Sequence, residues 1–146
     1  MSRIEGGCLC GRVRFSADAD PVFVGVCHCN DCQHFTGSAF ATVVAIPAAV
    51  LNVTGMLKTF TKAGDTGKSI HRRFCPECGS GIMDEADALP GVVMVNTRTL
   101  DDHSWVKPQS EVYCDSAQAK GSNGLVQRTC QFTNRNSRSP FSHQPG

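Results

Sequence analysis

The sequence predicts a mainly β domain of short strands with one short helix, held together in part by bound metal. Segments of four to eight residues, several of them rich in Val, Ile, Thr or Phe, recur through residues 12–97, with Gly, Pro or Asp nearby. Runs of this length and composition are typical of strands. Seven of the nine cysteines fall in three close groups, a spacing typical of metal ligands.

The strand pattern differs slightly from one segment to the next. The first segment alternates basic with apolar residues, the second is a short apolar run, and the third is β-branched and stops at Pro47. The predicted strands are, in order, residues 12–15, 22–27, 39–46, 57–61, 69–74 and 92–97.

One segment, "NDCQHFTG", has the features of a short helix between the second and third predicted strands. Gly37 stands at its end, where a residue in the left-handed conformation commonly terminates a helix. The sequence therefore predicts one short helix that begins among the cysteines of the middle group.

The composition excludes several classes of partner. The chain has 146 residues and a formal net charge of +1, so it has no overall attraction to nucleic acid or to a membrane surface. The N-terminal stretch has no apolar run of signal-peptide length, and no later segment approaches the length of a membrane span. We therefore expect a cytoplasmic protein without nucleic-acid or membrane partners; the oligomeric state is not predicted.

The charge divides the chain into two parts. Residues 1–117 carry ten Lys and Arg against thirteen Asp and Glu, a net charge of −3, whereas residues 118–146 carry four basic residues and no acidic one. The second part is rich in Asn, Ser, Gln and Arg and has no sustained apolar period. We predict one zinc domain at 1–117, followed by a basic, polar, poorly structured tail at 118–146.

The cysteine groups indicate metal binding rather than disulfides. An odd number of cysteines without a secretion signal argues against a disulfide framework. A CxxC pair followed by glycine, Cys75 and Cys78, has the form of a zinc knuckle and needs two more ligands. The CxC pair Cys8 and Cys10, flanked by glycines, is the natural partner. The four thiols would form a closed structural zinc site.

The middle group, "CHCNDCQ", is then left with three thiols. Cys27, Cys29 and Cys32 as ligands would leave the fourth position of a zinc ion open, as in catalytic zinc sites. A substrate thiol suits that position, since a cation stabilises the thiolate. His28 is either a fourth ligand, which would close the site, or a side chain that points outward. His34 is a weaker candidate for a ligand or a proton relay.

Three basic residues follow one another on the fifth predicted strand. His71, Arg72 and Arg73 are interpreted as a solvated strand face, with an anion-binding role as the alternative.

Three motifs in order carry a resemblance to a known family. "GGCLCGRVRF", "CHCNDCQHFTGSAF" and "FCPECGSGI", together with "LDDHSWVKPQSEVYCDSAQA", resemble the glutathione-dependent formaldehyde-activating enzyme (GFA) family, shared with centromere-protein-V-like proteins. The resemblance covers roughly residues 5–119. It implies a β-tent fold of small antiparallel sheets, a structural zinc on the CxC and CxxC cysteines, and a second, more labile zinc on Cys27, Cys29 and Cys32, two zincs per chain.

The family's reaction joins formaldehyde and glutathione into S-hydroxymethylglutathione and is classed with carbon–sulfur lyases. The resemblance therefore implies a zinc-dependent enzyme acting on a thiol–aldehyde adduct, with glutathione as the small-molecule partner. Two other interpretations stay open: a non-catalytic zinc-binding module, and a metal or redox sensor that uses the middle cysteines reversibly. The resemblance ends after "SAQA", and either a frameshifted terminus or a lineage-specific extension would explain the change of composition.

Overall fold

The structure, a computed structural model, describes residues 2–118 of the chain. Within that range it contains two sheets, one α-helix and three short 3₁₀ turns. The strands are β1 (Arg3–Gly7), β2 (Arg14–Asp18), β3 (Phe23–Cys27), β4 (Ala41–Pro47), β5 (Leu51–Thr54), β6 (Lys58–Ala63), β7 (Ser69–Phe74), β8 (Gly81–Ala86), β9 (Val92–Asn96) and β10 (Ser110–Val112). The helix α1 spans Asn30–Thr36, and the 3₁₀ turns span Ala48–Val50, Thr97–Thr99 and Cys114–Ser116.

The small sheet has the order β1-β2-β5, and the large sheet has the order β10-β3-β4-β9-β8-β7-β6. Neighbouring strands pair antiparallel except β10, which pairs parallel with β3. The predicted fold class, mainly β with one short helix, is confirmed. The predicted tail at 118–146 falls, except for its first residue, outside the described residues.

The main core lies between the two sheets. The small sheet contributes Ile4, Phe15 and Ala17, and the large sheet contributes residues such as Val44 and Val95, all at most 3% exposed. Burying a Val, Ile or Phe side chain contributes about 1.5–3 kcal/mol relative to full exposure. A second, smaller apolar cluster includes cysteines of the helix region and residues of β4, and it forms the packing of α1 on the large sheet.

The helix begins and ends as its sequence indicates. Cys29 is the N-cap residue, and its Sγ accepts a hydrogen bond of 3.3 Å from the N–H of Cys32. Gly37 ends the helix with φ of 63°, and its N–H donates to the carbonyl of Gln33 at 2.8 Å. A seven-residue helix has little stability alone, so its packing against the sheet holds the cysteines in place.

The strand predictions were right for most of the large sheet and incomplete elsewhere. The predicted strand 69–74 coincides with β7, while the predicted strand 12–15 begins two residues too early, because residues 8–13 form a turn that carries two cysteines. Strands β1, β5, β8 and β10 were not predicted. Three of them, β1, β8 and β10, contain glycine or acidic residues that sheets normally disfavour, and β5 has only four residues.

No helix among residues 2–118 combines the length and the apolar character that a membrane crossing needs.

Gly55 supports the turn that carries the first two cysteines. It follows β5 with φ of 89°, and a Cβ added there would lie 2.2 Å from the carbonyl oxygen of Arg12. We expect Gly55→Ala to lower the free energy of unfolding of the metal-loaded protein by about 3 kcal/mol, through backbone strain and this clash. Urea denaturation would measure the change.

Gly67→Ala is the matched control. Gly67 also has a positive φ, 79°, but a Cβ there meets no atom within 4 Å. Gly67→Ala should lower the free energy of unfolding by about 1 kcal/mol. Equal losses for the two variants would show that the close approach at Gly55 has no energetic weight.

Candidate metal and active site

The first cysteine group brings together two segments that are far apart in sequence. Cys8 and Cys10 lie in the turn after β1, and Cys75 and Cys78 lie in the turn after β7. The four Sγ atoms all lie within 4.8 Å of one another. The pairing expected from the sequence therefore agrees with the placement of these four thiols.

The distances between these sulfurs fit zinc. The Sγ of Cys10 lies 3.5 Å from that of Cys8 and 3.8 Å from that of Cys75. A tetrahedral ion with Zn–S bonds of about 2.3 Å holds its sulfurs roughly 3.8 Å apart, whereas a disulfide would require about 2.05 Å. Four thiols at this separation could hold a metal ion, and the donor set is compatible with zinc.

In both turns the glycine after the cysteine pair donates a hydrogen bond to the carbonyl of the first cysteine, across three residues in one turn and four in the other. The N–H of Gly11 donates to the carbonyl of Cys8 at 3.1 Å, and the N–H of Gly79 donates to the carbonyl of Cys75 at 2.9 Å. Both glycines have a positive φ, 79° and 74°, which side chains with a Cβ rarely adopt. The glycine after each cysteine pair thus lets the chain fold back toward the sulfurs.

Hydrogen bonds tie the turns together and stabilise thiolates. Ser80 Oγ accepts from the N–H of Leu9 at 3.0 Å and lies 3.2 Å from the Sγ of Cys78. The Ser80 hydroxyl, followed by the backbone N–H groups of Ser80 and Cys10, lowers the pKa of Cys78 to about 5. Donors around a sulfur favour its deprotonated form, which is the form that binds metal.

The second group gathers the three cysteines of "CHCNDCQ" beside the helix. Cys27 ends β3, Cys29 caps α1 and Cys32 lies in its first turn. Their Sγ atoms lie within 4.8 Å of one another. Cys32 is buried and the other two are half-buried, and all three belong to the apolar cluster that includes Val43 and Met94. The group is therefore enclosed on the side of the sheet.

The three thiols of the second group differ in how readily each loses its proton. Hydrogen bonds from the thiols of Cys27 and Cys32, then the N–H of Cys32 and the charge of Arg72, lower the pKa of Cys29 to about 3. The hydrogen bond to Cys29 raises the pKa of Cys27 to about 12, and hydrogen bonds to Cys27 and Cys29 raise that of Cys32. Cys29 is thus the first sulfur of the group to carry a negative charge.

Neither histidine near this group joins it. His28 points to the other side, where its Nε2 lies 3.3 Å from Oε1 of Glu111 and its ring meets the edge of Phe40 at 5.6 Å. His34 is on the outer side of the helix, with Nδ1 at 2.8 Å from the carbonyl oxygen of Asn30. Among residues 2–118, no His, Asp, Glu or further Cys lies within 4.8 Å of all three sulfurs.

The structure adds two residues that the sequence did not single out as a pair. Arg72 on β7 and Asp84 on β8 are cross-strand partners, and each is only 5% exposed. The expectation of a solvated face at 71–73 was wrong for Arg72, because alternate strand residues point to opposite faces. His71 and Arg73 face the other way and pair with Asp87 at 2.9 Å and Glu85 at 3.0 Å.

A tyrosine with an unusual backbone conformation lies near the second group. Tyr113 directly follows Val112, whose carbonyl accepts from the N–H of His28 at 3.1 Å. Tyr113 has φ of 57°, uncommon for an aromatic residue, and its hydroxyl donates to Asp65 at 2.5 Å. Burial, followed by this hydrogen bond, raises the Tyr113 pKa. No spacing in the sequence indicates this residue, because the contact joins a hairpin turn to a distant edge.

Asp84 gives the structure a pH dependence that can be tested. Burial raises its pKa from the ordinary value of 3.8 to about 6, an effect that the charge of Arg72 partly offsets. The unfolded chain releases this proton at lower pH than the folded protein, so ionisation of Asp84 destabilises the folded state as the pH rises from about 4 through 6. The penalty is fully present above that range.

We therefore expect Asp84→Asn to raise the free energy of unfolding at pH 7.5 by up to about 3 kcal/mol, and by less at pH 5. Denaturation of zinc-loaded protein at the two pH values measures this. Glu85→Gln, on the opposite face, is the control and should change stability by less than about 1 kcal/mol at both. A loss of stability in Asp84→Asn at pH 7.5 would contradict the assignment.

Comparisons with known proteins agree with this geometry. The model of the glutathione-dependent formaldehyde-activating enzyme (GFA) family matches residues 3–116. A crystal structure of a Rhodobacter sphaeroides protein is similar with a TM-score of 0.55 and 22% sequence identity, over 66% of this chain and 87% of that chain. At this identity the likeness shows a shared fold. No curated protein matches the chain at a significant level.

The family match spans both cysteine-bearing turns and the helix between them, and it confirms the resemblance drawn from the motifs. The chain therefore belongs to the glutathione-dependent formaldehyde-activating enzyme family.

Proposed function

We propose that this protein is a zinc-dependent carbon–sulfur lyase that forms S-hydroxymethylglutathione from formaldehyde and glutathione. The observation that carries the proposal is the second cysteine group, in which three sulfurs converge without a fourth donor from residues 2–118. Membership of a family named for formaldehyde activation with glutathione supports the choice of substrates.

The two cysteine groups are assigned different roles. Cys8, Cys10, Cys75 and Cys78 would hold a structural zinc, since four thiols complete a tetrahedral site. Cys27, Cys29 and Cys32 would hold the second zinc. When bound there, zinc supplies a Lewis acid that can accept a thiolate or polarise a carbonyl oxygen.

The reaction requires a new bond between the glutathione sulfur and the formaldehyde carbon, and transfer of the thiol proton to the carbonyl oxygen. The protein can lower the cost of this step by holding thiol and aldehyde together. Around the cysteines, Arg72 supplies a buried positive charge, and Phe35 supplies an apolar wall whose ring lies against Gly81. The Tyr113 hydroxyl, held by Asp65, is a proton-bearing group on the residue after the strand that pairs with β3.

Zinc content is the first measurement. We expect two zinc ions per chain in the wild-type protein, one of which a mild chelator removes. Cys29→Ser should retain one ion and remain folded, because the second cysteine group lies outside the main core and its packing only holds the helix on the sheet. Cys75→Ser, at a position 1% exposed in the main core, should lose the structural zinc and unfold. Elemental analysis and circular dichroism distinguish these outcomes.

Two zinc ions that both resist the chelator would favour a non-catalytic zinc module instead. A second site that fills only in excess metal or after oxidation would favour a sensor.

Catalysis is measured by the NMR exchange rate between formaldehyde and glutathione. We expect Cys29→Ser and Cys32→Ser each to reduce the catalysed rate at least about a hundredfold, since each removes a ligand of the reacting site. His34→Ala is the control and should keep the wild-type rate, because the His34 ring lies on the outer side of the helix and its Nδ1 is within hydrogen-bond distance of the carbonyl oxygen of Asn30. Full activity in both cysteine variants would refute the assignment.

A further inference from the structure

A buried cation lies on the same sheet face as the second cysteine group. The register places Arg72 opposite Asp84, and Asp84 opposite Met94 on the next strand. Met94 packs against the apolar cluster that contains Cys27, Cys29 and Cys32. A single row across the sheet therefore runs from Arg72 through Asp84 to Met94, and Met94 packs against the cluster that holds the cysteines.

The helix covers Arg72 directly. The guanidinium carbon of Arg72 lies 5.9 Å from the centroid of the Phe35 ring. Phe35 belongs to the same helix as Cys32, one turn further along. The ring also rests on Gly81, where an added Cβ would approach it to 2.8 Å. Arg72 is thus held under the helix, where it is 5% exposed.

One polar atom of Arg72 and one of Asp84 make no hydrogen bond among the described residues. Among the described residues, neither Nε of Arg72 nor Oδ1 of Asp84 has a hydrogen-bond partner, and both atoms are buried. A buried polar atom without a partner is costly. Such a cost is tolerated where the charge acts on another group, and the helix that covers Arg72 through Phe35 also carries Cys32 of the second group.

The charge balance of the second group needs such a cation. Three thiolates around one Zn²⁺ carry a net charge of −1, and a substrate bound as a thiolate brings the total to −2. A neutral ligand such as imidazole leaves it at −1. Accumulating negative charge in a partly buried site is unfavourable unless a positive charge stands close by.

We propose that Arg72 makes the open thiol site selective for anionic ligands over neutral ones, and that Asp84 opposes it. Arg72 is a positioning and specificity-determining residue in this proposal, acting through charge rather than through contact with the reacting atoms. The inference rests on the proposed function, because it takes the three cysteines to hold a zinc ion that accepts a thiol.

The test compares two ligands on one loaded protein. The second site is loaded with Co²⁺, and the affinities of 2-mercaptoethanol and imidazole are measured from the change in cobalt absorption. We expect Arg72→Gln to weaken the affinity for the thiol at least roughly tenfold, while the affinity for imidazole changes by less than about twofold. Asp84→Asn should increase the affinity for the thiol several-fold, again without changing the affinity for imidazole.

Two further variants complete the design. Arg73→Gln is the matched control, because Arg73 neighbours Arg72 but faces the other side and pairs with Glu85 at 3.0 Å; it should change neither affinity. Arg72→Lys keeps the charge and should retain most of the preference for the thiol. If Arg72→Gln fails to fold, Asp84→Asn and Arg72→Lys still decide the question.

The outcomes separate this inference from the proposed function. Suppose that the wild-type protein binds the thiol. If Arg72→Gln and Asp84→Asn then change the affinities for both ligands equally, or change the affinity for the thiol in the same direction, the role of Arg72 is overturned and the proposed function stands. Wild-type protein that binds neither ligand at the cobalt overturns the proposed function and this inference with it. Opposite shifts for the thiol, with imidazole constant, support the proposal.

Discussion

The convergence of four sulfurs from the turns after β1 and β7 is the constraint on which the rest of the domain depends. Cys10 and Cys75 are 65 residues apart in sequence, yet their sulfurs lie 3.8 Å apart. Bringing such distant segments together costs chain entropy, and binding of one ion by all four thiols would offset that cost. The small sheet and the large sheet are joined at this point, and the main core, which includes Cys8 and Cys75, lies between them.

The joined sheets form the platform for the second cysteine group. The inner face of the large sheet is occupied by the main core, so its other face is left to carry the helix. The helix has seven residues and is held by the apolar contacts of its cysteine end and by the ring of Phe35 on Gly81. The two groups of thiols therefore differ in how they are built. The first is closed by four thiols from two segments, and the second has three thiols from one local segment.

The polar surroundings of the second group distinguish it from an ordinary buried cysteine cluster. A charged pair, Arg72 and Asp84, is buried beside it with atoms that lack partners among the described residues. Tyr113 is held in a left-handed conformation and donates to Asp65. Unsatisfied polar atoms and strained backbone concentrate at functional sites. Among residues 2–118 these features lie around the second group rather than the first, which is consistent with chemistry at the second group.

The sequence by itself determined the fold class, the helix with its end at Gly37, and the family, because these follow from local patterns and from motif spacing. It also predicted which cysteines converge, since a CxxC knuckle needs two more thiols and the CxC pair supplies them. The tertiary structure alone decided the rest. The strand partners bury Arg72 while Arg73 stays half-exposed, and the parallel pairing of β10 with β3 places Val112, the residue before Tyr113, opposite Cys27. These contacts are between residues distant in sequence, and strand register sets them, which no local pattern in this chain encodes.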